Sequence, residues 1–120
     1  MMALEPTLTI SDTTTFSDAI NFSVTDSLTV ATPAQSLSTI ACATAGANSI
    51  IVPASSSGCY LFVRHTANLS NVVLVENTDD TQFANLKAGE WMFLPHLSGS
   101  LGVQVQSAAA VVIEYAYWTI

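Results

Sequence analysis

Positive charge is nearly absent from this sequence, in which Arg64 and Lys87 are the only basic residues against nine acidic ones. Nucleic-acid binding depends on clustered Lys and Arg side chains that release counterions from phosphates. The two basic residues are far apart in the sequence, and the formal net charge is −7. This charge balance argues against a nucleic-acid partner.

Long hydrophobic segments are lacking as well. The longest apolar run covers residues 108–113, whereas a membrane-spanning helix needs about 18 apolar residues or more. Residues 1–6 contain neither the basic region nor the apolar core of a secretion signal. We therefore expect no membrane partner and a protein that is made and used in the cytosol.

Cysteine and histidine are too sparse to predict a metal centre. The chain contains Cys42, Cys59, His65 and His96, and no two of them lie within five residues of each other. Structural zinc sites usually take their ligands in close pairs. Without a secretion signal the cysteines are expected to be buried thiols, with a disulfide between them as the alternative. No metal and no cofactor are predicted.

Catalytic residues are not evident either. The adjacent carboxylates Asp79 and Asp80 could suggest calcium binding or general acid–base chemistry, but residues 77–80 have the composition of a hairpin turn. The remaining acidic residues and the histidines are scattered over predicted turns, without a nucleophile and base in a common pattern. We therefore predict a non-enzymatic protein.

The low charge also bears on how the chain exists in solution. A chain of 120 residues suits one domain with one core, and a folded monomer of this size exposes about 6,200 Å². Eleven charged residues then give about one charge per 560 Å², which is sparse for a protein surface. Serine and threonine must cover much of the remainder, or other subunits do.

Alternation of apolar and polar residues indicates β-strands along most of the chain. In residues 20–30 the even positions are largely apolar and the odd ones polar, which predicts one buried and one solvated face. Residues 8–13 and 22–27 share a short alternation that ends in Asp between hydroxyl residues, typical of a hairpin or extended arm. Pro33 breaks this pattern. We assign residues 1–33 to an N-terminal β arm or ribbon and residues 34–120 to a β-sandwich domain.

The second half of the chain predicts hairpins that close a sandwich. A Gly turn at residues 86–90 leads into an aromatic strand that begins at Trp91 and is expected to stop at Pro95. In residues 101–107 and 111–117 the odd positions are expected to face the core. The fold class is therefore all-β, a small antiparallel β-sandwich or jelly roll.

Two strands have apolar residues on both faces, which indicates burial against more than one neighbour. Residues 72–75 are all apolar, so this strand is expected either centrally in a sheet or against another subunit. The last strand adds a largely apolar even face to its core face. The candidate interface residues are Val73, Val75, Val112, Trp118 and Ile120. Trp118 is expected at a subunit boundary and Trp91 is expected chiefly to stabilise the fold.

Residues 58–66, 86–95 and 110–118 together carry a family resemblance. They combine a Gly-aromatic strand, a Leu-x-x-Gly-Glu turn before an aromatic strand that ends in Pro, and a closing strand with Val, Glu and Tyr. In this scheme the chain resembles small β-sandwich proteins encoded among the virion genes of tailed bacteriophages. The resemblance covers residues 58–120 and carries over no catalytic residue.

The resemblance implies a structural protein of the virion, assembled in the bacterial cytoplasm. A capsid cement or decoration protein is the preferred role, and an accessory protein of the tail or neck is the next. Decoration proteins of this kind imply a homo-oligomer, with a trimer preferred, and the phage major capsid protein as partner. A carbohydrate-binding β-sandwich is the alternative from another class, because Trp91 or Trp118 could stack on a sugar.

Overall fold

The computed structural model describes residues 2–11, 21–31, 35–41, 48–54, 58–97 and 102–120. Every regular element in these ranges is a β-strand, which confirms the predicted all-β class. No helix in these ranges is long and apolar enough to span a bilayer. The strands are β1 (Met2–Leu4), β2 (Thr7–Ser11), β3 (Asn21–Thr25), β4 (Leu28–Val30), β5 (Gln35–Ala41), β6 (Ser49–Val52), β7 (Cys59–His65), β8 (Val73–Asn77), β9 (Gln82–Leu86), β10 (Trp91–Leu97), β11 (Val103–Ser107) and β12 (Val112–Thr119).

Two four-stranded antiparallel sheets form the body of the protein. Sheet I has the strand order β10-β7-β12-β5, and sheet II has the order β6-β11-β8-β9. Apolar side chains from both sheets meet in a single core cluster between them. The expected small antiparallel β-sandwich is therefore confirmed.

Period-two alternation decides which side chains enter this core. The odd-numbered residues of β7 are buried, whereas its even-numbered residues are half-buried or exposed. Val103, Val105 and Ile113 are fully buried, as the alternation in β11 and β12 predicts. The cluster consists of Ile51, Val52, Cys59, Leu61, Val63, Val73, Val75, Leu86, Val103, Val105, Val111, Ile113 and Tyr115.

Strand β8 lies inside sheet II, between β11 and β9. Val73 and Val75 on this strand have no exposed surface and belong to the core cluster. The sequence predicted that this strand lies either centrally in a sheet or against another subunit. The structure shows the central position. Because both side chains are covered within the chain, neither can contribute to a subunit contact, and this corrects their assignment as interface residues.

The aromatic strand does not stop at Pro95, contrary to expectation, because β10 continues to Leu97. β10 is an edge strand of sheet I, and its pairing with β7 shifts register between Leu94 and Leu97. A proline is tolerated at an edge or bulge, since no neighbouring strand requires its missing N–H group. Because β10 lies at the edge of the sheet, Pro95 does not end the strand.

The turns after β8 and β9 form where the sequence predicts them. Asp80 has a left-handed backbone with φ 67°, and its N–H donates to the Asn77 carbonyl at 3.0 Å. In the second turn Gly89 adopts φ 84°, a conformation that favours glycine. The Glu90 N–H there donates to the Lys87 carbonyl at 3.0 Å. Strand β9 between the turns was not predicted, because its sequence QFANL does not alternate.

The N-terminal strands form one long antiparallel hairpin, called the ribbon here (residues 2–11 with 21–30). β1 pairs with β4 and β2 pairs with β3 in the same register, so that Met2 faces Val30 and Leu8 faces Val24. The pairing is interrupted at Pro6, which has no N–H to donate but whose carbonyl accepts the Asp26 N–H at 3.1 Å. An N-terminal β ribbon is therefore present, as predicted.

We expect Leu61→Ala to lower the free energy of unfolding by about 2–5 kcal/mol, because Leu61 is completely buried between the sheets and its truncation leaves a cavity. Leu69→Ala is the matched control. Leu69 is 40% exposed in the loop after β7, so the same truncation should cost less than about 1 kcal/mol there. Urea unfolding followed by tryptophan fluorescence measures both values, and equal losses would contradict the assigned core.

Candidate interaction surface

The outward side of sheet I is unusually aromatic. Because the odd residues of β7 enter the core, Tyr60 and Phe62 must point outward, where they are half-buried. On the neighbouring edge strand, Phe93 stacks on Tyr60 with ring centroids 6.4 Å apart, and Trp91 is 54% exposed. Trp118 completes the set on β12, directly opposite Tyr60. These five side chains are called the aromatic face.

One charged pair accompanies the aromatic face. Arg64 is paired in register with Trp91 on one side and with Glu114 on the other. Its Nη1 lies 3.5 Å from Glu114 Oε2, and both side chains are more than 40% exposed. An exposed pair of this kind contributes about 0–1 kcal/mol. The pair leaves no net charge on this part of the surface and contributes little to the stability of the fold.

The ribbon lies across part of the aromatic face. At its base the Ala31 N–H donates to the Thr119 carbonyl at 2.9 Å, and Val30 is only 2% exposed. A groove of about 450 Å³ runs between the ribbon and sheet I. It is lined mainly by Leu8, Val24 and Leu28 from the ribbon and by Phe62, Trp91 and Phe93 from the sheet. This is called the ribbon groove.

The ribbon has an apolar and a polar face, and the apolar face becomes more exposed away from its base. On the polar face the Thr7 and Thr25 hydroxyls lie 2.7 Å apart and form a cross-strand hydrogen bond. On the apolar face Val30 is buried, whereas Ile10 is 41% and Val24 is 55% exposed. The expectation that the apolar face of residues 20–30 is buried is therefore wrong for its distal part. The base of the ribbon is therefore covered more fully than its distal part.

The remaining predicted interface residues lie on the outward side of β12 or at its end. Val112 and Trp118 are half-buried on the even face of this strand, and Ile120 is 43% exposed. The Ile120 N–H donates to the Gly58 carbonyl at 3.2 Å, which fixes the end of the chain beside β7. These three residues are accessible, and their role in a contact stays a prediction.

Trp91 does not have the environment expected of a folding anchor. With 54% of its surface exposed it cannot contribute the free energy of a fully buried ring. The sequence places it directly after a turn, and alternation within β10 directs Met92 and Leu94 toward the core instead. Trp91 is therefore a surface residue with part of its ring covered, and its contribution to stability stays a prediction.

Part of the outward side of sheet II is polar and satisfies its own hydrogen bonds. Glu76 is only 2% exposed, and its Oε1 accepts hydrogen bonds from Gln104 Nε2 at 2.8 Å and Gln106 Nε2 at 3.0 Å. Gln104 Nε2 also donates to Asp80 Oδ1 at 2.8 Å. Sequence alternation placed Gln104 and Gln106 outward but gave no signal that they enclose Glu76, which lies on another strand.

The titratable residues considered for chemistry serve structural roles. Asp79 Oδ1 accepts the Thr81 N–H at 3.2 Å, which supports the predicted turn. His65 is fully buried, its Nδ1 accepts the Ala67 N–H at 2.9 Å, and its Nε2 therefore donates to the Asn71 carbonyl at 2.8 Å. Within the described ranges no three His, Cys, Asp or Glu side chains are grouped to hold a metal ion. Cys42 and the side chain of His96 lie outside the described residues.

Cys59 is a buried free thiol at the start of β7. Burial removes water from the sulfur and raises the pKa of the Cys59 thiol above its ordinary value. Since the thiolate is the reactive form, a raised pKa and lack of access both reduce reactivity. This environment confirms the expected buried thiol for Cys59.

We expect Cys59 to resist thiol reagents in the folded protein and to react in urea, with a rate difference of about 100-fold or more at pH 8. A Cys42→Ser background leaves Cys59 as the sole thiol for this measurement. Because burial raises the pKa of Cys59 in the folded protein, the stability that its thiol contributes is present below the unfolded pKa and is lost as pH rises from there through the folded pKa. Cys59→Ala should remove this part of the pH dependence. Fast labelling of the folded protein would contradict the buried position.

No protein-family model, no curated protein and no solved structure matches this chain.

Proposed function

We propose that the protein is a non-enzymatic structural component of a tailed-bacteriophage virion. The specific role proposed is that of a capsid cement or decoration protein, which forms a homo-oligomer, with a trimer preferred, and contacts the major capsid protein. An accessory role in the tail or neck of the virion is the next assignment. The resemblance of residues 58–120 to small β-sandwich virion proteins suggests the setting.

The observation that supports this role is the contiguous apolar surface formed by the aromatic face and the distal ribbon. Trp91, Val24 and Ile10 are each more than 40% exposed on this side of the protein. Exposed apolar patches with few charges are typical of protein contact surfaces, which are enriched in aromatic residues. The Arg64–Glu114 pair also adds no net charge here.

The opposite side of the sandwich differs in a way that suits attachment through one face. Asp79 and Asp80 lie at the turn after β8, and Glu76 lies on the outward side of sheet II. Asp79 and Asp80, which are exposed, would face solvent if the aromatic face contacts the particle. The amide groups of Gln104 and Gln106 already satisfy the Glu76 carboxylate within the chain.

Virion composition tests the proposal directly. Quantitative mass spectrometry of purified particles should find the protein at a copy number that is a multiple of the capsid symmetry. Purified protein added to particles that lack it should raise the temperature at which the shells open. Absence of the protein from purified particles would contradict the proposal.

We expect Trp118→Ala to weaken particle binding by about tenfold or more, because a ring that becomes buried in a contact loses its apolar area on truncation. Phe83→Ala is the control, because Phe83 is an aromatic residue, 40% exposed, on edge strand β9 of the other sheet. It should bind as the wild type does. Equal losses in both variants would contradict attachment through the aromatic face.

A carbohydrate-binding function is the second candidate, and the ribbon groove is the observation that favours it. Trp91 presents an exposed ring there, and Asp26 adds a carboxylate to the lining. An aromatic platform beside a hydrogen-bond acceptor can hold a sugar ring. Under this function, titration with oligosaccharides should change the tryptophan fluorescence of the wild type and of Trp118→Phe. It should not change the fluorescence of Trp91→Ala, which lacks the exposed ring in the ribbon groove. A glycan array without any binding would remove this candidate.

A further inference from the structure

The ribbon groove is large enough for a small molecule, and its two walls come from parts of the chain that are distant in the sequence. Its volume of about 450 Å³ lies within the range of small-molecule sites, about 300–1,000 Å³. One wall belongs to the ribbon, and the other belongs to strands β7 and β10 of sheet I. A ligand of this size can therefore contact both walls at once.

Three aromatic rings occupy adjacent positions on the sheet I wall. Phe93 and Phe62 are register partners on neighbouring strands, and such partners have Cβ atoms about 4.5–5.5 Å apart. Trp91 lies two residues before Phe93 on β10 and therefore points to the same side of the sheet. Phe93 also stacks on Tyr60, with ring centroids 6.4 Å apart. The rings form one continuous wall, in which Trp91 is the most exposed member.

Asp26 is the only ionisable residue among the described residues that line the groove. Its N–H donates to the Pro6 carbonyl at 3.1 Å, and its Oδ1 accepts the Ser27 N–H at 2.8 Å. Asp26 is exposed, so a ligand in the groove can reach its carboxylate. The other polar side chain of the lining is Thr7, which is hydrogen-bonded to Thr25. The lining thus combines one carboxylate with a surface that is otherwise mainly apolar.

Residues beside the lining add negative charge. Glu5 and Glu90 each directly precede a lining residue in the sequence, and both are exposed. Lys87 lies in the turn before Glu90, where its backbone N–H donates to Glu90 Oε2 at 2.7 Å. Counted with Asp26, three carboxylates are therefore accompanied by one ammonium.

The guanidinium on the aromatic face does not cancel this charge. Arg64 is in register with Trp91, but its Nη1 lies 3.5 Å from Glu114 Oε2. This pair has no net charge, and neither of its members lines the groove. The local potential therefore favours a cation over an anion. The aromatic rings act in the same direction, because the face of a ring is negative and attracts cations.

We infer that the ribbon groove binds a small organic cation, an ammonium ion carried on an apolar body. The apolar body packs against the aliphatic and aromatic walls, which removes its surface from water. The ammonium is attracted by the Asp26 carboxylate and by the ring faces. The inference goes beyond the proposed function and does not depend on a place in the virion. It also differs from the sugar candidate, because a neutral sugar is not attracted by the net negative charge.

Three probes of similar size test the preference for a cation. Phenethylammonium, phenethyl alcohol and phenylacetate carry a positive, a neutral and a negative group on the same phenyl body. Trp118→Phe leaves Trp91 as the only tryptophan of the full-length protein, so its fluorescence reports on the groove. We expect a dissociation constant of about 1 mM or lower for the ammonium. The alcohol should bind about fivefold or more weakly than the ammonium, and phenylacetate should not bind.

Asp26→Asn tests the carboxylate. Asparagine keeps an oxygen that can accept the Ser27 N–H but has no charge. Asp79→Asn is the matched control, because it changes the net charge equally at the turn after β8, outside the groove lining. Asp26→Asn should weaken the binding of phenethylammonium by about threefold to fivefold and leave phenethyl alcohol unchanged, whereas Asp79→Asn should change neither. Thermal melting checks that both variants remain folded.

Four outcomes would overturn the inference. The first is a Trp91 fluorescence that does not change with phenethylammonium up to about 10 mM, together with no heat of binding to the wild type. Equal affinities for phenethylammonium and phenethyl alcohol would show an apolar groove without a preference for cations. Equal weakening by Asp26→Asn and Asp79→Asn would show a general attraction to a chain of net charge −7. Oligosaccharide binding at Trp91 without ammonium binding would assign the groove to the sugar candidate.

The test also separates this site from the proposed function. Ammonium binding that depends on Asp26, in a protein that is absent from purified virions, would sustain the site and reject the proposed function.

Discussion

Contact between the inward faces of sheets I and II is the interaction on which the other features depend. Leu61, Val63, Val105 and Ile113 are fully buried there, and exposing them to water would cost far more than any surface interaction contributes. Since successive residues of a strand point to opposite faces, burying the odd residues of β7 directs its even residues outward. The aromatic face is thus a direct consequence of how the core is packed.

The outward sides of sheets I and II differ in which side chains they present and in how these are covered or hydrogen-bonded. On sheet II, amide side chains from β11 surround the carboxylate of Glu76, so polar groups on neighbouring strands satisfy one another. On sheet I the outward side chains are aromatic rings, and the ribbon covers only part of their surface. The polar part of the sheet II face is therefore satisfied within the chain, although Ile50 and Phe83 stay exposed on that sheet, while sheet I retains aromatic surface that a partner can bury.

The ribbon connects this physical asymmetry with the proposed structural role. A two-stranded ribbon is marginally stable alone, so its base must pack against the body, as the buried Val30 shows. Farther from that base its apolar face is more exposed, as Val24 and Ile10 show. Under the proposed role, the exposed apolar face of the ribbon would be covered by a partner during assembly of the particle and not during folding of the chain.

Much of the fold could be predicted from local patterns in the sequence. Alternation identified the buried positions Val103, Val105 and Ile113, and the turn residues around Asp80 and Gly89 marked two connections correctly. Strand β9 was missed because its short sequence has no alternation. The aromatic face was missed as a unit because Tyr60, Trp91 and Trp118 come from three strands that are distant in the sequence.

The sequence by itself determined the strand class, the inward and outward faces of β11 and β12 and the polar and apolar faces of the ribbon, because period two is a local property of the chain. Only the tertiary structure decided that Val73 and Val75 lie in the core, that Pro95 can lie within a strand and that Trp91 is exposed. Each of these outcomes depends on which strands are neighbours. β8 has partners on both sides, whereas β10 lies at an edge, and this order is set by pairings between residues far apart in the sequence.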